Sequence, residues 1–129
     1  MGSPVIVSGA RTPVGKFGGA FKEISASELG ATAISAAIER AGITGNMVSE
    51  VVIGNVLQAA EAGYVARRAS LRAGLPESVP AIAINRQCSS GLEAINFGAM
   101  LVQTGEADIV VAGGAENMSQ TPYFLNYTA

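Results

Sequence analysis

Ile84-Asn85-Arg86-Gln87-Cys88-Ser89-Ser90-Gly91-Leu92-Glu93 is the stretch on which the reading of this chain turns. The apolar run Ala81 to Ile84 stops where a long apolar helical pattern begins near Gly91, and the chain's one cysteine stands at the junction. A cysteine at the first turn of a helix meets backbone N–H groups that lack intrahelical acceptors and carry the positive end of the helix dipole. Both favour the thiolate, which is the nucleophilic form. Ser89, Ser90 and Gly91 are small, leaving an acyl group room to approach sulfur and amides together. Cys88 is therefore a candidate nucleophile. The plain alternative is a small buried hydrophobe, the commoner fate of a lone cysteine. The chain contains no histidine, so no Cys–His pair can form within it.

Outward from this junction, helix and strand signals alternate. Downstream, Gly91 to Thr104 is apolar nearly all round (Leu92, Ala94, Ile95, Phe97, Ala99, Met100, Leu101, Val102), which predicts a central helix enclosed on every side. Asp108 to Ala112 follows as a strand closed by Gly113-Gly114. Upstream, Tyr64 to Ala73 reads as a helix ended by Gly74 and Pro76. Its Arg67, Arg68 and Arg72 suit a solvated face better than a phosphate contact. Val51-Val52-Ile53 is a strand in which Gly54 predicts a bulge or a close backbone approach. Ser25 and Glu28 form a capping box for a helix that stops at Gly42. Val5-Ile6-Val7 is a first strand by β-branched content. The Gly9 to Ala20 loop has the wrong glycine spacing for a phosphate-binding loop, and Phe17 stands where a hydroxyl would be needed.

The order β-α-β-α-β-α-β predicts an α/β fold with a mostly parallel sheet. In such sheets sites lie beyond the carboxyl ends of the strands. Cys88 after one strand and Gly113 to Ser119 after another both fall on that edge. At 129 residues the chain is one domain's worth, with a core over about 4–114 and a loop region beginning at 115–129. Net charge is −2 with scattered basic residues, which predicts no nucleic-acid partner and no attraction to anionic membranes. One cysteine permits no internal disulfide and suits a reducing compartment. No apolar run reaches the length of roughly 20 residues that spans a bilayer. The Met1-Gly2-Ser3-Pro4 start lacks a basic region, so no signal peptide is expected. No metal site is expected either.

Five ordered segments resemble the amino-terminal domain of the thiolases. They are Val7 to Gly15, Gly54-Asn55-Val56-Leu57-Gln58, Ala66-Arg67 with Gly74-Leu75-Pro76, Asn85 to Leu92, and Ala112 to Ser119. The resemblance implies an acyl-CoA acyltransferase: Claisen condensation of two acetyl-CoA, or thiolytic cleavage of a 3-ketoacyl-CoA. Cys88 would hold the acyl group as a thioester, with its own backbone N–H in the oxyanion hole. Met118 would line the acyl pocket; an ordinary core methionine is its alternative. Coenzyme A would be substrate and product, with no bound cofactor, and the parent enzyme would be a dimer or tetramer. The resemblance also implies a second half, absent here, that brings an activating histidine and a second cysteine. The expectation is an amino-terminal piece nearly inactive in turnover by itself. A non-enzymatic assembly module, a degradative long-chain thiolase and a ketoacyl synthase are the competing readings. Asn85 to Ser90 looks closer to degradative thiolases and Glu116 to Tyr123 closer to acetyl-CoA acetyltransferases. A cytoplasmic location is expected, with mitochondrial or peroxisomal ones open for the parent.

Overall fold

Three parallel strands carry the fold. The computed structural model describes residues 3–127, so Met1-Gly2 and the Thr128-Ala129 end of the expected loop region lie outside the described residues. The strands are β1 (Glu50–Gly54), β2 (Ala81–Ile84) and β3 (Val110–Gly114), in spatial order β2-β1-β3. Register sets Val51 beside Ala81 and Val111, and Gly54 beside Ile84 and Gly114. β1 is central and Val51, Val52 and Ile53 are buried, so its unbroken β-branched run reads as it should for a strand covered on both faces.

Side chains alternate across the sheet with period two. Odd-numbered positions, Val51, Ile53, Ala81, Ala83 and Val111, join the main core with Ile34, Val65, Ala66 and Ala69. Those partners belong to helices α1 (Ala26–Ala41) and α2 (Val65–Arg72). Even-numbered positions face α3 (Ser90–Thr104): Gly98 of that helix sits against Val110 and Ala112. The chain crosses from β1 to β2 through α2, then back over β1 to β3 through α3. Right-handed crossovers running in opposite directions cover opposite faces, and they leave a topological switch between β1 and β3.

The capping box forms as expected. Ser25 accepts from the Glu28 N–H, the Glu28 carboxylate accepts from the Ser25 N–H, and Gly42 closes α1 in a left-handed conformation at φ 68. The Ser25 hydroxyl first and its backbone N–H second hold the Glu28 carboxyl below its ordinary value of 4.5. Gly30 lets α1 approach α2, since a Cβ there would lie 3.2 Å from Ala69 Cβ.

Three expectations are corrected and a fourth is refined. Val5-Ile6-Val7 joins no strand: the segment is exposed and tied to α1 instead, by Ser8 Oγ donating to the Ala37 carbonyl and Arg40 Nη1 donating to the Gly9 carbonyl. β-branched content favours an extended backbone, but a strand also needs a ladder partner. The last strand runs Val110–Gly114 rather than from Asp108, because pairing with Ile53 and Gly54 continues through both glycines. Tyr64 belongs to a 3-10 turn, Ala60–Tyr64, and the helix proper starts at Val65. The arginines of α2 do lie on a solvated face, with Arg68 and Arg72 exposed, but two of the three are also anchored there. Arg67 donates to the Val79 and Glu77 carbonyls, and Arg72 meets Glu61, Ser25 and the buried Ser27.

Candidate active site

The carboxyl ends of all three strands lie on one edge, and α3 starts there. Gly54 makes this possible. A Cβ at Gly54 would lie 2.3 Å from the carbonyl carbon and oxygen of Ser90 and 2.5 Å from Gly91 N, while Gly91 also abuts Gly114. The helix start is thus seated on the ends of β1 and β3, at the switch point, and the close approach expected at Gly54 is met.

Between β2 and α3 the chain makes a tight elbow. Gln87 adopts φ 51, a left-handed conformation that an L residue with a Cβ adopts at a cost. Its N–H donates to Asn85 Oδ1 at 3.0 Å. Its carbonyl accepts from the Ser90 N–H at 3.0 Å and from Ser90 Oγ at 2.6 Å. Ser90 Oγ also accepts from the Arg86 N–H at 2.8 Å, and the Ser89 N–H donates to the Arg86 carbonyl. Ser89 is the N-cap of α3 but makes no side-chain cap bond; the working hydroxyl is that of buried Ser90. Ser90 is therefore small for packing and turn chemistry.

Cys88 stands immediately ahead of that N-cap, two residues before the first helical residue, and is exposed. Among the described residues nothing buries its side chain. An isolated backbone bridge links Cys88 to Arg86 across the turn. α3 itself is not enclosed on every side. Ser90, Ala94 and Gly98 face the sheet and are buried, while Leu92 (63% exposed), Met100 (57%) and Ile95 are open. The sheet covers only one face of a helix, and no other described element reaches its outer side.

Met118 lies on the same edge, after β3, on a 3-10 turn spanning Met118–Gln120. It is 62% exposed among the described residues. Asn117 fixes this turn: its Oδ1 accepts from the Ser119 N–H, and its Nδ2 donates to the Phe21 and Ile24 carbonyls. The Gly18 N–H donates to Ser119 Oγ, which joins the glycine-rich loop to the segment after β3. Neither Cys88 nor Met118 lines the cleft of about 300 Å³ beside the elbow, whose walls are Ile84, Asn85, Arg86, Glu93 and Phe97. Arg86 and Glu93 pair across it at 2.7 Å.

Asn55 and Glu116 were not singled out from sequence. Asn55 is 1% exposed at the end of β1, and its Nδ2 donates to the Ala115 carbonyl and to Glu116 Oε1, both at 2.8 Å. Glu116 Oε2 accepts from the Val56 N–H at 2.8 Å. A carboxylate two residues after a strand-ending Gly-Gly was the available signal, since buried backbone donors at strand ends need acceptors. Among the described residues no three His, Cys, Asp or Glu side chains are grouped to hold a metal ion, and no helix is long and apolar enough to cross a membrane.

Comparison with known proteins accords with this geometry. The family described as "Thiolase, N-terminal domain" matches residues 4–129. An acetyl-CoA acetyltransferase of Cupriavidus necator is 54% identical over 121 residues, covering 94% of this chain and 31% of that protein. A probable acetyl-CoA acyltransferase of Staphylococcus aureus is 49% identical over 122 residues, covering 95% of this chain and 31% of that protein. The chain thus spans about a third of the length of the curated relatives it matches.

Proposed function

This chain belongs to the thiolase family, as its amino-terminal domain, and on that premise we propose that it carries the nucleophile of a thiolase-type acyl-CoA acyltransferase. Cys88 sulfur attacks the thioester carbonyl of an acyl-CoA. The carbon–sulfur bond to coenzyme A breaks, coenzyme A leaves as its thiolate and takes up a proton, and the acyl group stays on Cys88 as a new thioester. An acetyl-CoA carbanion then attacks that thioester to give a 3-ketoacyl-CoA and free Cys88. Thiolysis is the same sequence reversed. The oxyanion of each tetrahedral intermediate is held in part by the Cys88 N–H, and a preorganised donor of this kind is worth about 10² to 10³ in rate.

The observation that carries the reading is the placement of Cys88. It is an exposed thiol directly before a helix seated on the switch point of a parallel sheet, within a family match to residues 4–129. The printed name of the Cupriavidus necator relative favours acetyl as the acyl group, while that of the Staphylococcus aureus relative leaves the acyl group open. Met118, exposed on the same edge, lines the acyl site in this reading, and the enzyme assembles as a homo-oligomer. With no histidine in the chain, the general base that deprotonates Cys88 comes from outside these residues. Its absence costs about 10² to 10⁴ in rate.

Intact-protein mass spectrometry after incubation with acetyl-CoA tests this, with Cys88→Ser in parallel. The expected result is one acetyl adduct, labile to hydroxylamine and lost in the variant. A folded chain that takes up no acetyl group, alone or mixed with a full-length relative, overturns the assignment.

A further inference from the structure

A continuous run of hydrogen bonds ties the Cys88 elbow to the ends of the other two strands. After β3, the Glu116 carboxylate accepts from Asn55 Nδ2 through one oxygen and from the Val56 N–H through the other. The Val56 carbonyl accepts from Asn85 Nδ2 at 3.1 Å. Asn85 Oδ1 accepts from the Gln87 N–H. Gln87, held at φ 51, is followed directly by Cys88.

Each link demands a particular chemistry. Both partners of Glu116 are donors, so a carboxylate suits that position, and an amide would turn a donor against one of them. Asn85 must donate at one end and accept at the other, and its side-chain amide does so through two separate atoms, Nδ2 and Oδ1. Gln87 has a Cβ and pays for its left-handed backbone, and such conformations persist where the surroundings over-determine them. Here the surroundings are Asn85 on its N–H and Ser90 on its carbonyl. Released, Gln87 returns to negative φ and the peptide joining it to Cys88 rotates. The sulfur and the Cys88 N–H then leave the start of α3.

We propose that Asn85 and Glu116 are positioning residues, acting through Val56 and Gln87 to hold the turn from which Cys88 presents its sulfur and N–H. The inference rests on Cys88 being the acyl acceptor.

The test is the rate at which iodoacetamide alkylates Cys88 at neutral pH in the 129-residue chain, with circular dichroism confirming that each variant is folded. Asn85→Ala removes both bonds of the clamp and should slow alkylation about fivefold, the effect of moving the reacting sulfur away from the positive end of a helix. Glu116→Gln, one link further away, should slow it about twofold. Adding Gln87→Gly to either variant should return the rate close to that of the unaltered chain, because glycine holds positive φ without a clamp. A merely structural Asn85 would lower the melting temperature and leave the rate alone. Folded Asn85→Ala alkylating as fast as the unaltered chain overturns the proposal. If Asn85→Ala does not fold, Glu116→Gln with and without Gln87→Gly decides it, and the absence of both slowing and rescue is the refuting result. Alkylation asks nothing of acyl-CoA. A failure of acetyl uptake in every variant would therefore sink the catalytic reading while alkylation still judged the clamp.

Discussion

Replacing Gly54 by alanine should be the most damaging single-methyl change in the sheet. The added Cβ would lie 2.3 Å from the carbonyl carbon and oxygen of Ser90, where ordinary van der Waals contact begins near 3.4 Å, so the start of α3 must withdraw by about 1 Å. The opposing atoms are peptide backbone in a helix pinned to two strand ends, not the tip of a flexible side chain. Overpacking costs about 1 to 3 kcal/mol, and the absence of any side chain able to yield places this case near 3 kcal/mol. That is a large part of a typical stability of about 5 to 15 kcal/mol. At about 4 °C per kcal/mol for a chain of this size, the melting temperature should fall by about 10 °C. A urea midpoint should fall by about 1.5 M if m is near 2 kcal/mol/M. Gly113→Ala is the control: it adds the same methyl one residue before the end of β3, where a Cβ meets nothing within 4 Å, and should change stability by no more than about 0.5 kcal/mol. Urea titration followed by circular dichroism, with m unchanged, separates the two. Equal midpoints for Gly54→Ala, Gly113→Ala and the unaltered chain would refute the claim that α3 is seated on β1 through that glycine.

Two further outcomes follow from particular residues. Glu28 is held below its ordinary value of 4.5 by Ser25, so the unfolded chain takes up that proton first as pH falls. The stabilisation is present above the unfolded value and lost as pH drops through the folded one. Glu28→Gln should flatten the acid side of the melting-temperature profile, and an undiminished acid slope would contradict the capping box as its source. The open apolar side chains Leu92, Ile95 and Met100, together with Tyr123, Phe124 and Leu125, predict concentration-dependent association; light scattering that reports a monomer across a wide concentration range would refute it.

What could be read in the sequence was what depends on near neighbours. Ser25 with Glu28, Gly42 past the end of α1 and the unbroken Val51-Val52-Ile53 run each state a local requirement, and the structure meets each one. Gly54 was legible as a close approach, though not what approaches it, since Ser90 lies on a different element. Val5-Ile6-Val7 misled because β-branched residues specify an extended backbone and say nothing of a partner strand. At the site, the cysteine between strand and helix was visible, but its offset from the helix was not. That offset is set by the left-handed turn at Gln87, a residue type with no preference for it. The legible signal was Asn85, two residues earlier, since an asparagine side chain commonly caps a backbone N–H two positions on. Glu116 and Asn55 stayed hidden because their pairing joins positions 61 residues apart.

The apolar helix pattern from Gly91 to Thr104 shows what periodicity measures. A helix apolar all round predicts burial all round, yet α3 buries only Ser90, Ala94 and Gly98 completely. These are the small residues, and their four-residue spacing puts them on one line. Smallness there follows from distance: a Cβ on Gly98 would lie 2.9 Å from Val110 Cγ1, so the sheet-facing line cannot hold larger side chains. The bulky apolar residues are left for the opposite line, where leucine and methionine face outward in the described residues. The sequence pattern therefore reports the sum of two demands, close approach on one side and apolar cover on the other, and only the first is met by contacts among the described residues. Cys88, exposed at the head of that helix, sits where the met and unmet demands join.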